Sequence, residues 1–496
     1  MRWQLRLSKR ILELVSLIYI YISLLIFLWG WCRPLITLVS TVVIIYAVYS
    51  VDKENRKSDE FIVIDIRALI FTVFFLLVIG YYAGYGRFTL QASDWMKHNA
   101  VIYDLVNKSW PVYYHNGSEN SMLTYYIGQY LLPALCGKMV HSARFAEKVN
   151  FLWCVLGLLL ADLNVLKVLR IKKVKVQVLT PVLMSFFASP LALEYIVCQA
   201  AGYSDAVKFQ YAGNFTLIRW AFPQAIVMWI TVTLWIAHRD KIEHYAAILL
   251  PSMLYGILSF LGIIPLALVM AIYTIVKEKD IKVSLKSLFS ISNILMTATV
   301  GFVLLAYYYG NVTGEKPDEI GFHLIDFSFL NLKQYFISMI CMVGIYAACL
   351  WKKNQKNIFF ISALAELIIL PLFVMGANND LVSRASIPAL FIFFMLTLSS
   401  FNDLFEEKSE LKKNTWQTCL LVITLTYGLV DPLHQLGVVI AYDNILYVDS
   451  PLEWTTLEDF ANREDPSVQN DLKYNYYSYD IEDNFFYKHL SRKQMD

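Results

Sequence analysis

One short run of the sequence concentrates side chains that could carry acid–base chemistry. It reads Ser93-Asp94-Trp95-Met96-Lys97-His98-Asn99. Asp94 and His98 are four residues apart, so a helix would place both on one face. A carboxylate beside water and lipid headgroups could take a proton from a hydroxyl group. The run predicts a catalytic base at Asp94 with support from His98; the simpler alternative is a charged helix at an interface.

Two arginines in other parts of the sequence could bind an anionic group. Arg219 begins the run Arg219-Trp220-Ala221-Phe222-Pro223-Gln224, and Arg384 lies in the short loop 376–385. A guanidinium stays charged and presents a planar fork that matches a phosphate. Lipid phosphate is therefore a predicted partner of both arginines. The simpler explanations are snorkelling of Arg219 to headgroups and pairing of Arg384 with Asp380.

Other kinds of chemistry have no signature in the sequence. It holds no Walker P-loop, no GxGxxG, no HExxH and no D-x-D triplet. No cofactor or metal site is therefore predicted, although a divalent metal ion stays compatible with the chain. Glu366 is a separate candidate near the middle of an apolar segment. A carboxylate in that position indicates function unless it forms a hydrogen bond within the helix bundle.

The composition indicates that membrane helices must position these side chains. Of 496 residues, 57% are hydrophobic and 17% are charged, and the mean hydropathy is +0.50. Soluble domains average about 45–50% apolar and about 25% charged residues. The composition excludes a disordered chain, a nucleic-acid-binding arm and an ordinary cytosolic enzyme. It predicts an all-α polytopic membrane protein.

About thirteen segments are predicted to cross the bilayer, because a spanning helix needs about 20 mostly apolar residues. They are 12–30, 35–51, 66–85, 150–169, 177–193, 220–237, 245–261, 262–276, 287–308, 336–351, 357–375, 386–400 and 416–431. Lys and Arg cluster in the loops at one end of these segments, which the positive-inside rule assigns to the cytoplasm. The N-terminus would be cytoplasmic, and an odd number of crossings would place the C-terminus outside.

The order of the segments predicts three parts of the chain. Residues 1–65 form a transmembrane hairpin and a cytoplasmic loop, 66–431 form the transmembrane core, and 432–496 form an external acidic, aromatic-rich tail that caps the external face. The core carries a large first external loop, 86–149. Within it, 123–140 is apolar, but a crossing there would put a basic loop outside. A stripe of small and polar residues predicts instead an in-plane helix in the outer interface.

This layout resembles that of the C-type glycosyltransferase (GT-C) superfamily of integral membrane enzymes. The resemblance covers about 66–400: a large first external loop with in-plane helices and an acidic residue, matched by Asp94, and a polar second external loop, matched by Asp205. The acidic residue of the family usually belongs to an Asp-Glu or Glu-Asp doublet, whereas this chain has Ser93-Asp94. The resemblance implies a GT-C-like fold and a polyprenyl-phosphate-linked sugar donor.

The resemblance also implies roles for the candidate residues. Asp94, supported by His98 and Asp205, would deprotonate an acceptor hydroxyl on a cell-surface glycan or a lipid-linked acceptor. The hydroxyl would attack the anomeric carbon with inversion. Arg219 or Arg384 would stabilise the phosphate that leaves.

Two other functions remain open at this stage. A flippase for lipid-linked oligosaccharides would need a cavity open to both sides and no external base. A polysaccharide polymerase or ligase would depend on external arginines and histidines, here Arg219, His323, Arg384 and His434.

Overall fold

The chain is all-α apart from short strands, as its composition predicts. The computed structural model describes residues 3–56, 60–89, 91, 94–116, 119–202, 209, 211–278, 281–312, 322–375, 379–405, 415–443, 455–461, 475–478, 481 and 483–492. The first ten helices are α1 (Lys9–Trp31), α2 (Pro34–Asn55), α3 (Ile66–Tyr82), α4 (Trp95–Asn107), α5 (Gly128–Met139), α6 (Ala143–Val168), α7 (Val174–Phe186), α8 (Leu191–Ala200), α9 (Asn214–Trp220) and α10 (Phe222–Ala237).

The second half of the chain continues the helical pattern. Its α-helices are α11 (Tyr245–Leu249), α12 (Ile257–Lys277), α13 (Ile281–Leu288), α14 (Ile291–Met296), α15 (Phe302–Val312), α16 (Phe329–Met339), α17 (Ile345–Asn354), α18 (Ile358–Ile369), α19 (Asp380–Ala385), α20 (Ile387–Phe405), α21 (Thr415–Gly428), α22 (Val430–Asp443) and α23 (Leu457–Ala461). A π-helical turn joins α14 to α15 and another joins α16 to α17. Both pairs therefore form continuous rods.

Three small antiparallel sheets connect loops that are distant in the sequence. They are β1 (Gln4–Ser8) with β2 (Phe61–Asp65); β3 (Tyr113–Asn116) with β4 (Glu119–Leu123) and β7 (Tyr477–Ser478); and β5 (His323–Leu324) with β6 (Phe373–Val374). Arg6 lies opposite Val63 in the first sheet, and Leu123 lies opposite Tyr477 in the second. The second sheet therefore fixes the C-terminal segment to the loop between α3 and α6, which we name the first loop.

The apolar helices confirm a multi-pass membrane protein. Among the described residues, eight helical rods are long and apolar enough to cross a bilayer, and α7 with α8, bent by 43°, would make a ninth. Three shorter apolar helices are α3, α10 and the rod Ile358–Leu372. The eight are Lys9–Trp31, Pro34–Lys53, Ala143–Val168, Ile257–Lys277, Leu285–Asn311, Phe329–Asn354, Ile387–Phe405 and Trp416–Ala441. The count of thirteen stays a prediction.

The boundary predicted between spans 245–261 and 262–276 is wrong. A single helix, α12, runs through that point, and the break lies earlier, where a 3₁₀ turn ends at Leu254. Gly256 follows the break, and a Cβ atom there would collide with the Gln224 side chain of α10. The chain turns at Gly256 because only glycine allows α10 to approach so closely.

The first and last described segments of the chain lie at opposite ends of α1. β1 directly precedes α1, and Glu13 near its start pairs with Lys167 and His238, both at 3.0 Å. At the other end of α1, Cys32 forms a backbone bridge with Ser491. Two basic loops that the sequence assigns to one side therefore meet at the N-terminal end of α1. That this side is cytoplasmic stays a prediction.

The segment 123–140, predicted to be an in-plane helix, is helical in part, and its position relative to the membrane plane stays a prediction. Its helical part, α5, has only 12 residues and is too short to cross a bilayer. Gly137 of α5 lies against Ala146 of α6, and Gln129 lies against Cys154, so the two helices run antiparallel. α5 therefore packs along the first half of α6, because small residues at the crossing let the backbones approach.

The described parts of the C-terminal segment pack onto the first loop. The Asp104 carboxylate of α4 accepts hydrogen bonds from the Leu457 amide (3.1 Å) and the Tyr114 hydroxyl (2.8 Å). Lys108 pairs with Glu458 at 2.8 Å. The Tyr476 carbonyl accepts a hydrogen bond from the Thr124 amide at 2.8 Å. Several polar bonds thus attach this part of the tail to the end of the bundle that carries the first loop.

Cysteine labelling tests this arrangement of ends. In a chain whose seven native cysteines are replaced, we expect His141→Cys and Lys488→Cys to react with a membrane-impermeant maleimide on intact cells. Lys173→Cys should react only after permeabilisation, because that exposed residue precedes α7 at the opposite end. Equal labelling of all three on intact cells would contradict the arrangement.

Candidate functional site

A break between α9 and α10 leaves three backbone carbonyls in need of donors. The last carbonyls of a helix have no intrahelical partner. Pro223 has no N–H group for the Arg219 carbonyl, and the Gln224 amide turns to Ala221 instead of Trp220 (3.0 Å). The run that begins at Arg219 therefore ends α9 with exposed acceptors.

Side chains that precede or belong to α4 satisfy these carbonyls. The Tyr85 hydroxyl donates to the Ile218 carbonyl at 2.7 Å, and the Trp95 indole Nε1–H donates to the Arg219 carbonyl at 2.8 Å. The His98 Nε2 atom lies 3.4 Å from the Trp220 carbonyl. The helix break thus provides the hydrogen-bond acceptors that fix α4 in place.

Trp95 anchors α4 inside the protein. Its side chain is 0% exposed and stacks on Phe222 with ring centroids 4.9 Å apart. A buried indole usually finds an acceptor for its N–H group, and the Arg219 carbonyl is that acceptor. The burial of Trp95 therefore depends on the carbonyl that the helix break leaves open.

His98 is a buried connector between two elements rather than a free base. Its Nδ1 atom lies 2.7 Å from the Tyr130 hydroxyl of α5. Because a carbonyl can only accept, Nε2 carries the proton toward Trp220, and Nδ1 accepts the Tyr130 proton. Burial lowers the pKa of His98 to about 4, while the nearby Asp94 charge acts in the opposite direction. His98 is therefore neutral near pH 7.

Asp94 keeps contact with water at the start of α4. Its side chain is 40% exposed and lies 3.4 Å from the Lys97 ammonium group. Its backbone carbonyl accepts hydrogen bonds from the Lys97 and His98 amides. The buried first turn of α4 holds Asp94 in place while its carboxylate stays accessible, which a base acting on an external substrate requires.

Arg384 reaches the same neighbourhood from a distant part of the sequence. It lies in α19, with a half-buried side chain 3.9 Å from Asp380 and a hydrogen bond to the Ser383 hydroxyl at 3.4 Å. Burial raises the pKa of Tyr126, and the charge of Arg384 lowers it. Arg384 also lowers the pKa of His98. Asp94 shifts both pKa values in the opposite direction, so the charges of Asp94 and Arg384 both lie within electrostatic reach of His98 and Tyr126. The surroundings of His98 and Tyr126 therefore form one candidate region.

Arg219, near the end of α9, has no carboxylate partner among the described residues. It is buried, and its Nε atom has no hydrogen-bond partner. Burial lowers the pKa of Arg219, and no carboxylate in the described part of the chain contributes to that pKa. A buried guanidinium without a carboxylate partner is costly, and an anionic ligand would offset that cost.

The two candidate histidines do not join this region. Asp205 falls outside the described residues. His323 belongs to β5 and His434 to α22, and both are exposed. Within the described ranges, no three His, Cys, Asp or Glu side chains come together as metal ligands would.

Sequence reasoning missed the residues that hold the site together. Tyr130 bonds His98, and Tyr126 and Gln224 line the region near Arg384. Tyr125 stacks on Tyr476 with ring centroids 4.0 Å apart. Pro223 could have indicated part of this arrangement. A proline within an apolar helical run leaves the carbonyl four residues earlier, here that of Arg219, without its helical donor, so another group must donate to it.

Known proteins give no further guide to the site. No family model matches the chain, and neither does a curated protein or a solved structure. The geometry of Asp94, His98, Arg219 and Arg384 must therefore support any assignment.

The neutral state of His98 leads to a prediction about pH. Its pKa of about 4 lies below the value of 6.5 for an unperturbed histidine, so the unfolded chain binds more protons between these values. Stability should therefore fall as the pH drops from about 6.5 to about 4, by up to ~3 kcal/mol from this residue. The thermal unfolding midpoint of purified protein in detergent should depend less on pH in His98→Gln.

A matched control separates this effect from other titrations. His434 is exposed on α22, so His434→Gln should keep the pH dependence of the wild type. Identical slopes in the wild type and His98→Gln would contradict the buried neutral imidazole.

Proposed function

We propose that this protein is a membrane glycosyltransferase that moves a sugar from a polyprenyl-phosphate donor to a cell-surface glycan or a lipid-linked acceptor. The observation that carries the proposal is the accessible Asp94 carboxylate at the start of α4, which is 40% exposed. The charge of Arg384 lies within electrostatic reach of the same His98 and Tyr126 side chains as that of Asp94. An accessible carboxylate and a cation are the two groups that this transfer needs. Their place at the end of the bundle with the first loop would expose them to a donor held in the membrane.

In this proposal Asp94 acts as the general base. It accepts the proton of an acceptor hydroxyl, and the resulting oxygen nucleophile forms a bond to the anomeric carbon of the donor sugar. The bond from that carbon to the phosphate oxygen breaks with inversion. His98 positions α4 without exchanging protons, because both of its ring nitrogens already have partners.

Arg384 and Arg219 would stabilise the departing phosphate. Negative charge develops on the phosphate oxygen as its bond to the sugar breaks, and preorganised cations lower the barrier by several kcal/mol. Arg384 has only a long contact with Asp380, and Arg219 has no carboxylate partner in the described part of the chain. Both charges are therefore available to an anionic ligand.

The first test removes the base. Asp94→Asn keeps the size of the side chain but cannot accept the proton, so transfer should fall by about 10²–10⁴-fold. The variant should insert at the wild-type level but fail to restore the missing glycan in a deletion strain. Asp326→Asn is the matched control, because Asp326 is an exposed aspartate elsewhere in the chain. A wild-type glycan level in Asp94→Asn would remove Asp94 from the mechanism.

The second test keeps the charge of each arginine but changes its geometry. Lysine cannot reproduce the planar guanidinium fork, so Arg219→Lys and Arg384→Lys should each lower kcat/KM for the donor by about 10–100-fold. Arg144→Lys is the control, because Arg144 is an exposed cation at the start of α6. Wild-type kinetics in both Arg219→Lys and Arg384→Lys would show that neither arginine binds the donor phosphate through its guanidinium group.

One observation favours transport of a lipid-linked oligosaccharide as the alternative. Both carboxylate oxygens of Glu366 in α18 are buried without a hydrogen-bond partner. An intramembrane carboxylate of this kind often marks a transport path. In a flippase, Glu366→Gln would abolish the surface glycan and Asp94→Asn would leave it intact. The glycosyltransferase proposal requires a severe loss in Asp94→Asn.

A further inference from the structure

A largely apolar groove lies between α1 and α5, away from the region of Asp94. It has a volume of about 410 Å³, and apolar side chains of α1 and Leu135 of α5 form its walls. Trp29 and Trp110 lie at its rim, and Trp29 is exposed. Tryptophan favours the boundary between hydrocarbon and headgroups, so the groove is placed at the level of a membrane surface. The α1 residues of the groove are Ile22, Leu25, Ile26, Trp29 and Gly30.

Two cations complete the lining of the groove. Lys138 donates hydrogen bonds to the Val106 and Lys108 carbonyls at 3.2 and 2.6 Å, and its ammonium group lies 5.6 Å from the Trp110 ring. Arg492 donates to the Trp29 carbonyl at 3.0 Å. Neutral carbonyls orient these side chains but do not cancel their charge. Within the described residues, neither cation pairs with a carboxylate.

The shape of the groove suits one end of a lipid. From Ile22 to Gly30, α1 rises by about 12 Å, which is enough for part of an acyl chain. Gly30 makes the tight wall possible, because a Cβ atom there would lie 2.8 Å from the Trp110 ring. The groove thus combines an apolar channel with two positive charges where a headgroup would lie.

The groove is separate from the candidate catalytic region. Asp94 precedes α4, whereas Trp110 follows it, and the 13 residues of α4 span about 20 Å. A phosphate held at the groove would therefore be too far from Asp94 to serve as the leaving group. The occupant must be a lipid other than a donor in the act of transfer.

We propose that this groove binds an anionic phospholipid of the surrounding leaflet, with its phosphate at Lys138 and Arg492 and an acyl chain along α1. Charge complementarity favours an anionic headgroup, because a zwitterionic lipid would bring its own cation to the two side chains. The site would also fasten the end of the C-terminal segment, since Arg492 belongs to that segment and reaches α1. This inference does not depend on the proposed glycosyltransferase activity.

Lipid-dependent stabilisation tests the proposal. The full chain is purified without its native lipids in a neutral detergent and heated with dioleoylphosphatidylglycerol or dioleoylphosphatidylcholine. A ligand that binds only the folded state raises the unfolding temperature. We expect stabilisation by the anionic lipid alone. The double variant Lys138→Gln/Arg492→Gln should need at least tenfold more of that lipid for the same shift.

A second variant keeps the test decisive if the double variant fails to fold. Leu135→Trp fills the apolar wall but leaves both charges in place, so it should weaken binding to a similar extent. Arg144→Gln removes a cation outside the groove and should behave as the wild type. Equal stabilisation of the wild type by both lipids, or an unchanged response in Leu135→Trp, would overturn the proposal. So would stabilisation through the groove by decaprenyl phosphate but not by dioleoylphosphatidylglycerol.

Discussion

The position of the first loop depends on the three carbonyls that the end of α9 leaves without helical donors. A buried acceptor that stays unpaired costs about 1–3 kcal/mol, and more where lipid excludes water. Three side chains from distant positions, Tyr85, Trp95 and His98, meet this requirement. Each bond joins the first loop to the helix bundle. The backbone of one helix end thereby determines where α4 lies.

The hydrogen bonds that fix α4 to the end of α9 also position the residues of the candidate site. His98 of α4 is hydrogen-bonded to Tyr130 of α5, so α4 and α5 are held together, and α5 in turn packs along α6. Asp94 stays outside this buried network and keeps its carboxylate accessible. Burial therefore fixes His98 within α4, while Asp94, which precedes the first turn of α4 and lies 3.4 Å from Lys97, stays partly exposed. Such a division suits a general base, which needs both a rigid support and an open face.

The sequence predicts the membrane class well because apolar length is a local property of the chain. It also predicts the pairing of Arg384 with Asp380, although at 3.9 Å the contact is long. It does not reveal the contacts that bury Trp95 and His98, since the acceptors lie about 120 residues away and no local pattern indicates them. The break at Gly256 was missed for a similar reason, because it depends on the close approach of α10. Tertiary contacts, rather than hydropathy, decide these positions.

Pairing of charges distinguishes supporting groups from candidate ligand-binding groups in this chain. At the N-terminal end of α1, Glu13 binds both Lys167 and His238, so burial leaves little charge unbalanced. Arg219 has no comparable carboxylate partner in the described ranges, and neither does Lys138 or Arg492. Burying a lone cation is costly, so a ligand that supplies the missing anion would stabilise the buried Arg219. Lys138 is half-buried and Arg492 is exposed, so an anion there would add attraction without offsetting a comparable cost of burial. The two sets of unpaired cations would then serve two different phosphates, one at the candidate catalytic region and one in the groove beside α1.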